Sequence, residues 1–247
     1  MAQPQLLLYS RQGCCLCEGL EERLRALPGV TGLEVMDVDR DPALQQRYGL
    51  EVPVLAVSRN TLGYWGQWAS RNPLFLVPNA LEARWIARGA RPANLGAQPS
   101  LGGRSIDVLV QRRKTSTYVL EQLVPALRAR GLTVLVQAGW VEDLVGLFNS
   151  AKVVVYDSAD HWRCSGVSEG FGLPPIEALA CGCVLFSSLN HALADNLDPG
   201  GLAHQVGMGS LAADGERIAA AVADPAAWLP APRRLEELLD ELSEPRL

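Results

Sequence analysis

Four side chains have types and spacings that suit chemistry. Cys14 and Cys17 are thiols separated by two residues, at a point where a short apolar stretch gives way to a helical pattern. A thiolate that faces a helix N-terminus has a lowered pKa and a raised reactivity, and a thiol one turn inside can resolve a mixed disulfide. Glu169 and Glu177 are carboxylates that bracket a stretch rich in glycine and proline. Carboxylates repel phosphate but accept hydrogen bonds from sugar or ribose hydroxyls.

The stretch between the two carboxylates, residues 170–176, reads Gly-Phe-Gly-Leu-Pro-Pro-Ile. Glycines let backbone amides approach a ligand closely, and prolines in the first turn fix the start of a helix. The free N–H groups at that helix start can hold a phosphate. The sequence therefore predicts a loop that combines phosphate-binding amides with hydroxyl-binding carboxylates.

The strands and helices that would position these groups alternate along the chain. Residues 5–57 read as strand, helix, strand, helix, strand, with the cysteines at the first joint, and residues 58–104 are predicted to be connecting structure. Beyond them, strands are predicted at 106–110, 133–137, 153–156 and 184–187, and helices at 116–130, 143–148 and 175–180. This alternation predicts an open, mostly parallel α/β sheet, followed by an amphipathic helix at 233–242.

Composition excludes several classes of protein. The chain has 247 residues, of which 48% are hydrophobic, and a formal net charge of −5, so full disorder is excluded and no global field favours nucleic acid or an anionic membrane. No apolar run approaches the roughly 20 residues of a membrane span and no secretory signal is visible, so we expect a cytoplasmic protein. In that reducing compartment the cysteines indicate redox or metal chemistry. We expect no metal site, because the three clustered cysteines lack a fourth ligand at standard spacing.

Residues 5–57 resemble a glutaredoxin-like protein with the thioredoxin fold, through residues 9–17, Tyr-Ser-Arg-Gln-Gly-Cys-Cys-Leu-Cys, and 51–54, Glu-Val-Pro-Val. The resemblance implies that Cys14 is the nucleophile, that Cys17 is the resolving thiol and that Pro53 is a cis-proline that positions the substrate. It also implies glutathione as a thiol partner. The family's last hairpin strand and helix are not recognisable after residue 57, so an incomplete segment is expected. Inherited but inactive thiols are the alternative.

Residues 58–224 resemble the retaining glycosyltransferases with the E-x7-E signature, which have two facing Rossmann-like domains, the GT-B fold. The resemblance is carried by residues 168–182 and supported by segments 77–79, 106–114, 139–141 and 157–158. It implies that Glu169 contacts the donor sugar near the reacting centre and that Glu177 holds the ribose hydroxyls of the nucleotide. The amides of Gly170, Phe171, Gly172 and Leu173 would contact the diphosphate or the sugar.

The same resemblance implies a basic pair that neutralises the leaving diphosphate, a role that metal ions play elsewhere. Lys114 matches the lysine of the pair. The arginine is expected several residues earlier, where Leu109 and Val110 stand, so Arg112 or Arg113 would take its place. A solvated basic loop is the alternative. No cofactor is implied, because the nucleotide sugar is the donor substrate.

Three segments follow from these resemblances: a glutaredoxin-like segment at 1–57, a donor-binding Rossmann-like domain at 58–228 and a helical tail at 229–247. The acceptor domain of the glycosyltransferases is not recognisable among them. We therefore expect a nucleotide sugar and an unidentified acceptor as ligands, and a partner chain that supplies the acceptor domain. A thiol-disulfide oxidoreductase and a non-catalytic fusion remnant remain as alternatives.

Overall fold

The computed structural model describes residues 6–10, 15–26, 32–44, 54–67, 74–91, 101–166, 168–198, 201–207 and 210–246. The chain divides into two compact units, an N-terminal unit Met1–Val77 and a C-terminal unit Pro78–Leu247. The sequence places this boundary earlier, after residue 57. The C-terminal unit also includes the predicted helical tail at 229–247.

The N-terminal unit contains two short parallel strand pairs. Its strands are β1 (Leu6–Ser10), β2 (Leu33–Asp37), β3 (Val54–Ala56) and β4 (Leu74–Leu76), and its helices are α1 (Cys15–Ala26) and α2 (Arg59–Gly66). β1 pairs with β2, and β3 pairs with β4. The predicted strands and the first helix are confirmed. Of the second predicted helix, at 41–48, Asp41 is not helical, residues 42–44 are helical, and residues 45–48 lie outside the described residues.

Residues 58–77 were expected to be connecting structure, but they form α2 and β4. The Oγ of Ser58 accepts a hydrogen bond from the backbone N–H of Thr61 at 3.1 Å and so caps the start of α2. β4 then forms a two-stranded parallel sheet with β3, with register partners such as Leu55 and Phe75. This part of the chain therefore belongs to the N-terminal unit.

The C-terminal unit is built on a five-stranded sheet in which every pairing is parallel. Its strands are β5 (Ile106–Gln111), β6 (Val134–Gln137), β7 (Ala151–Tyr156), β8 (Val184–Ser187) and β9 (His204–Gln205). They lie in the order β6-β5-β7-β8-β9. The predicted Rossmann-like parallel sheet is thereby confirmed. Because parallel strands are covered on both faces, they read as continuous runs of branched apolar residues, as in residues 153–155.

Helices connect and cover these strands. They are α3 (Ala83–Arg88), α4 (Val124–Ala129), α5 (Leu144–Asn149), α6 (Ala159–Cys164), α7 (Leu173–Ala180), α8 (Leu193–Asn196), α9 (Leu211–Ala223) and α10 (Pro232–Glu241). A single π-helical turn, Tyr118–Leu123, leads into α4. The core between sheet and helices contains fully buried side chains from the strands and from the long helices, such as Val108, Phe186 and Ile218.

The last helix is an integral part of the C-terminal unit. Leu235, Leu238 and Leu239 of α10 are buried, and the segment beyond it bridges to the start of the unit through Leu81, whose N–H donates to the carbonyl of Leu242 at 2.7 Å. The buried Arg91 forms a 2.8 Å ion pair with Glu236. The first and last segments of this unit are therefore held side by side. None of the described helices combines the length and the apolar character needed to cross a membrane.

Candidate functional site

The loops after β5 and β7 meet at the carboxyl edge of the sheet, where open parallel sheets bind their ligands. Lys114 lies three residues beyond the end of β5 and has a φ of 65°, in the left-handed region that residues with a side chain seldom adopt. Its Nζ lies 3.9 Å from the Oε1 of Glu169. Two predicted site residues that are far apart in sequence are thus brought into ionic contact.

Glu169 is almost completely buried, and one of its oxygens accepts three hydrogen bonds. The donors to Oε2 are the hydroxyl of Tyr156 at 2.8 Å, the hydroxyl of Ser158 at 3.0 Å and the indole N–H of Trp162 at 2.7 Å. Burial, together with the charge of Glu169, raises the pKa of Tyr156 well above its ordinary value, so this hydroxyl stays protonated and donates. A carboxylate held by three donors is fixed in orientation, and its Oε1 faces Lys114.

Trp162 joins these two residues from the side. Its ring centroid lies 4.3 Å from the Nζ of Lys114, within the range of a cation–π contact, while its N–H holds Glu169. Trp162 was not among the predicted site residues, because no sequence pattern predicted α6 (Ala159–Cys164), on which it lies. Tyr156 and Ser158 were placed only in a strand and just after it. Their position at the carboxyl end of a buried strand was the signal that could have marked them.

The loop between the two glutamates leads into α7 as expected. Gly172 has a φ of 87°, and a Cβ at this position would collide with the side chain of Leu193, so both the conformation and the space favour glycine. Leu173 begins α7, with prolines in its first turn. Phe171 is buried, which makes its side chain part of the core. As predicted, the backbones of Gly170, Phe171 and Gly172 lead into the helix, and Leu173 is its first residue.

Glu177 lies one turn further along α7 and lines a cleft of about 650 Å³. Burial raises the pKa of Glu177 to about 7; the charge of Glu82 acts in the same direction, and the charge of Arg84 opposes both. The predicted residues Arg112, Arg113 and Lys114 line the same cleft. A cationic wall and a partly desolvated carboxylate therefore face one space.

Other residues of this cleft were not predicted as site residues. They are Arg84, Gln111, Gln137, Ala138, Gly139, Trp140, Val141, Glu142, Leu144, Tyr156 and Pro174. Arg84 comes from α3, in a region expected to be connecting structure, so nothing in its neighbourhood marked it. Trp140 is 91% exposed, an unusual position for an indole ring. Glu169 is linked to the cleft through Tyr156 and Lys114.

The cysteines divide between the two units. α1 begins at Cys15, so Cys17 lies in its first turn, whereas Cys14 and Pro53 lie outside the described residues. In the C-terminal unit Cys181 and Cys183 are fully buried where α7 meets β8. Burial raises the pKa of Cys183 to about 11 and that of Cys181 still further, so both thiols stay protonated. They are part of the core at this joint.

Comparison with solved structures identifies the class of fold. A sucrose-phosphate synthase from Thermosynechococcus elongatus superposes with a TM-score of 0.55 and 18% identity, over 96% of this chain and 69% of its own. The Anabaena protein HepE, solved with UDP and glucose, gives 0.58 and 14% over 96% of this chain and 74% of its own. A Rickettsia africae glycosyltransferase gives 0.58 and 10% over 96% and 73%. The C-terminal unit therefore has the Rossmann-like architecture of a GT-B glycosyltransferase half.

Sequence comparison identifies the family of the N-terminal part. Residues 5–73 match the glutaredoxin-like domain family (DUF836). Uncharacterized proteins of Mycobacterium tuberculosis and Mycobacterium bovis are 31% identical to this chain over 72 residues, which is 26% of this chain and 74% of theirs. Through these residues the chain belongs to the glutaredoxin-like domain family. The match extends beyond residue 57 and includes α2, which the sequence analysis left out of this segment.

Proposed function

We propose that the C-terminal unit binds a nucleoside diphosphate sugar and belongs to the lineage of retaining glycosyltransferases. One observation carries the proposal: the Nζ of Lys114 lies 3.9 Å from the Oε1 of the buried Glu169, at the ligand-binding edge of a parallel sheet. A fixed carboxylate beside a cation suits a substrate that presents hydroxyls next to a diphosphate. The solved relative HepE, which contains UDP and glucose, supports this choice of ligand.

The donor is oriented by the groups that line or flank the cleft. The diphosphate lies beside Lys114 and one of the two arginines, Arg112 or Arg113, because these are the predicted cations on its wall. The ribose hydroxyls donate to Glu177. The sugar donates a hydroxyl to the Oε1 of Glu169, since the Oε2 already accepts three hydrogen bonds.

In a retaining transfer the bond between the anomeric carbon and the diphosphate breaks, and its electron pair leaves with the phosphate oxygen. The acceptor oxygen then bonds to the same face of that carbon, and its proton passes to the departing phosphate. Lys114 stabilises the negative charge that develops on the diphosphate, which is where a fixed cation lowers the barrier most. The rigid hold on Glu169 keeps the sugar in one orientation during the transfer.

Calorimetric titration of the full chain against UDP-, GDP- and ADP-linked sugars tests the donor site. We expect selective binding that Lys114→Gln weakens about tenfold or more, because a charge-assisted contact to phosphate is lost. The chain has two lysines, so Lys152→Gln is a matched control: Lys152 pairs with Asp107 at 2.7 Å near the amino ends of β5 and β7. No binding to any donor, or unchanged affinity in both Lys114→Gln and Glu177→Gln, would overturn the proposal.

Retention is tested by following the hydrolysis of a bound donor, in which water takes the place of the acceptor. Proton NMR of the sugar released from a bound donor identifies the anomer that forms first. We expect the anomer of the donor. The opposite anomer would contradict retention while leaving donor binding intact.

A thiol-disulfide exchange activity is a second candidate, favoured by the match of residues 5–73 to the glutaredoxin-like family. The Cys14 thiolate attacks one sulfur of a substrate disulfide and expels the other as a thiolate. Cys17 then attacks Cys14, which releases the reduced substrate and leaves a Cys14–Cys17 disulfide that two glutathione molecules reduce. The dithiol gives two electrons and the substrate takes them.

Reduction of hydroxyethyl disulfide by glutathione measures this second activity. Cys14→Ser should abolish it, whereas Cys164→Ser, which removes an exposed thiol of the C-terminal unit, should leave it unchanged. Activity that survives Cys14→Ser would contradict the assignment. Donor binding without turnover, together with inert thiols, would identify a non-catalytic binding protein.

A further inference from the structure

The turn that contains Lys114 has a backbone conformation that lysine seldom adopts. Lys114 has a φ of 65°. Because a side chain crowds the backbone in this region, such a conformation persists only where the surroundings hold it. The turn is anchored at one end by the N–H of Arg112, which donates to the carbonyl of Gln137 at 2.9 Å. Its other end is held more firmly.

That second anchor is Ser116, two residues after the lysine and 3% exposed. Its N–H donates to the carbonyl of Asp157 at 2.9 Å, and its hydroxyl donates to the Oδ2 of Asp157 at 2.6 Å. The same hydroxyl oxygen accepts the N–H of Val119 at 3.2 Å. Ser116 is thus fixed through its backbone and its side chain, and the carboxylate of Asp157 supplies the strongest of these bonds.

Asp157 is itself buried, and it lies next to the residue that holds Glu169. Its side chain is 6% exposed, and the N–H of Ala159 donates to its Oδ1 at 3.4 Å. The next residue, Ser158, donates to the Oε2 of Glu169 at 3.0 Å. Two adjacent residues after β7 therefore hold the lysine turn on one side and the glutamate on the other.

We propose that Asp157 and Ser116 form a buried clamp that positions the Lys114 ammonium beside Glu169. The consequence for ligand binding rests on the proposed function, since it concerns the cation that meets the diphosphate. Asp157 and Ser116 are positioning residues: they act through Lys114, and the substrate does not contact them.

Ser116→Ala tests the clamp, and Ser210→Ala is its matched control. Both serines cap a helical segment by accepting the N–H three residues on, at 3.2 Å in each case, but Ser116 is the one whose hydroxyl also donates to Asp157. The position of Lys114 is read from ¹³C-methyl NMR after reductive methylation, because the chain has two lysines and Lys152 serves as an internal reference. We expect Ser116→Ala to shift the Lys114 signal alone, and Ser210→Ala to shift neither.

A titration with UDP connects the clamp to binding. In the protein with Lys114 we expect Ser116→Ala to weaken UDP binding about tenfold; in the Lys114→Gln background the same change should have no further effect, since a positioning residue acts only through its target. An equal loss in both backgrounds would show a general structural role and overturn the clamp. Asp157→Asn, which keeps the shape but removes the charge, should show the same non-additivity if Ser116→Ala unfolds.

The two readouts separate the clamp from the donor site. An unshifted Lys114 signal in Ser116→Ala overturns the clamp, whatever UDP does. A shifted signal in a protein that binds neither UDP nor any nucleotide sugar supports the clamp and overturns the proposed function.

Discussion

The two units differ in how much of their apolar surface they bury. In the described part of the N-terminal unit, large side chains on the strands, on α2 and just after β4 remain exposed: Leu6, Leu7, Val35, Tyr64, Trp65, Phe75, Leu76 and Val77. In the C-terminal unit the strands β5, β6, β7 and β8 contribute buried side chains to one core, and Trp140 and Leu135 are the large apolar side chains that stay exposed among the described residues. The C-terminal unit therefore has a core of its own.

The two units also differ in how they hold their polar side chains. In the C-terminal unit, polar side chains such as Glu169 and Asp157 are buried with hydrogen-bond partners, which a rigid apolar frame can support. In the described part of the N-terminal unit the strands have three to five residues, and Ser58, which caps α2, is its buried polar residue. Pairs of like residues, one from each unit, test the contrast directly.

The largest difference is expected between two phenylalanines. Phe186 is 0% exposed and packs against His204 and Trp228, whereas Phe75 is 52% exposed. Phe186→Ala should lower the free energy of unfolding by about 3–5 kcal/mol because it leaves a cavity. Phe75→Ala should change it by about 0.5 kcal/mol or less. Urea unfolding followed by circular dichroism measures both, and equal losses would mean that the N-terminal sheet face is covered.

Two tryptophans give the next effect, on binding. Trp162→Phe removes the N–H that holds Glu169 but keeps a ring beside Lys114. We expect the nucleotide sugar that binds best to bind about tenfold more weakly, as for a lost hydrogen bond to a charged group. Trp65→Phe, on the exposed face of α2, should leave calorimetric affinity unchanged. A similar loss in both variants would contradict the role of Trp162.

Two glutamates should differ in pH dependence. Burial raises the pKa of Glu177 from 4.5 to about 7. A carboxyl whose pKa is raised on folding contributes stability below pH 4.5, and that contribution is lost as the pH rises through 7. Glu177→Gln should therefore raise the melting temperature at pH 8 by about 3 °C and leave it unchanged at pH 4. Glu34→Gln, at an exposed site, is the control. If Glu177→Gln and the unsubstituted protein had equal melting temperatures at pH 8, the side chain of Glu177 would be well solvated.

The smallest effects on stability are expected from surface ion pairs, and we expect the same result in both units. Arg25 pairs with Glu21 on α1 at 2.7 Å, and Arg233 pairs with Glu237 on α10 at 2.8 Å. Solvent screens both pairs, so Arg25→Ala and Arg233→Ala should leave the unfolding midpoint in urea unchanged. A clear fall in the unfolding midpoint of one variant would mean that a surface ion pair contributes to the difference in stability between the units.

Much of the C-terminal sheet was predictable from sequence, because each buried parallel strand is a run of branched apolar residues. β9 was not: it contains two residues, His204 and Gln205, and its pairing with β8 depends on the rest of the sheet. α9 (Leu211–Ala223) was also missed, although Ser210 gave a cap signal. α2 was hidden by its glycines and aromatic residues, which favour other structures locally.

The candidate site, too, could be predicted from the sequence only in part. Glu169 and Glu177 were expected from their places on either side of a glycine- and proline-rich stretch and, like Lys114, from the resemblance to the retaining glycosyltransferases. The contact between Lys114 and Glu169 could not be predicted, since tertiary folding alone brings residues 114 and 169 together. Trp162 and Arg84 lie on helices that were not predicted. The turn at Lys114 is held by the hydrogen bond that Ser116 donates to Asp157, a residue just after β7, and sequence alone does not show this contact.

The bridge between Leu81 and the segment after α10 has a consequence for modularity. The N–H of Leu81 donates to the carbonyl of Leu242, and the N–H of Ala83 donates to Glu244 at 3.3 Å, so the two ends of the C-terminal unit leave it at one place. A unit with adjacent ends can be inserted into a surface loop, or circularly permuted, with a short linker and little strain. The C-terminal unit is therefore suited to being joined to unrelated domains, by evolution or by protein engineering.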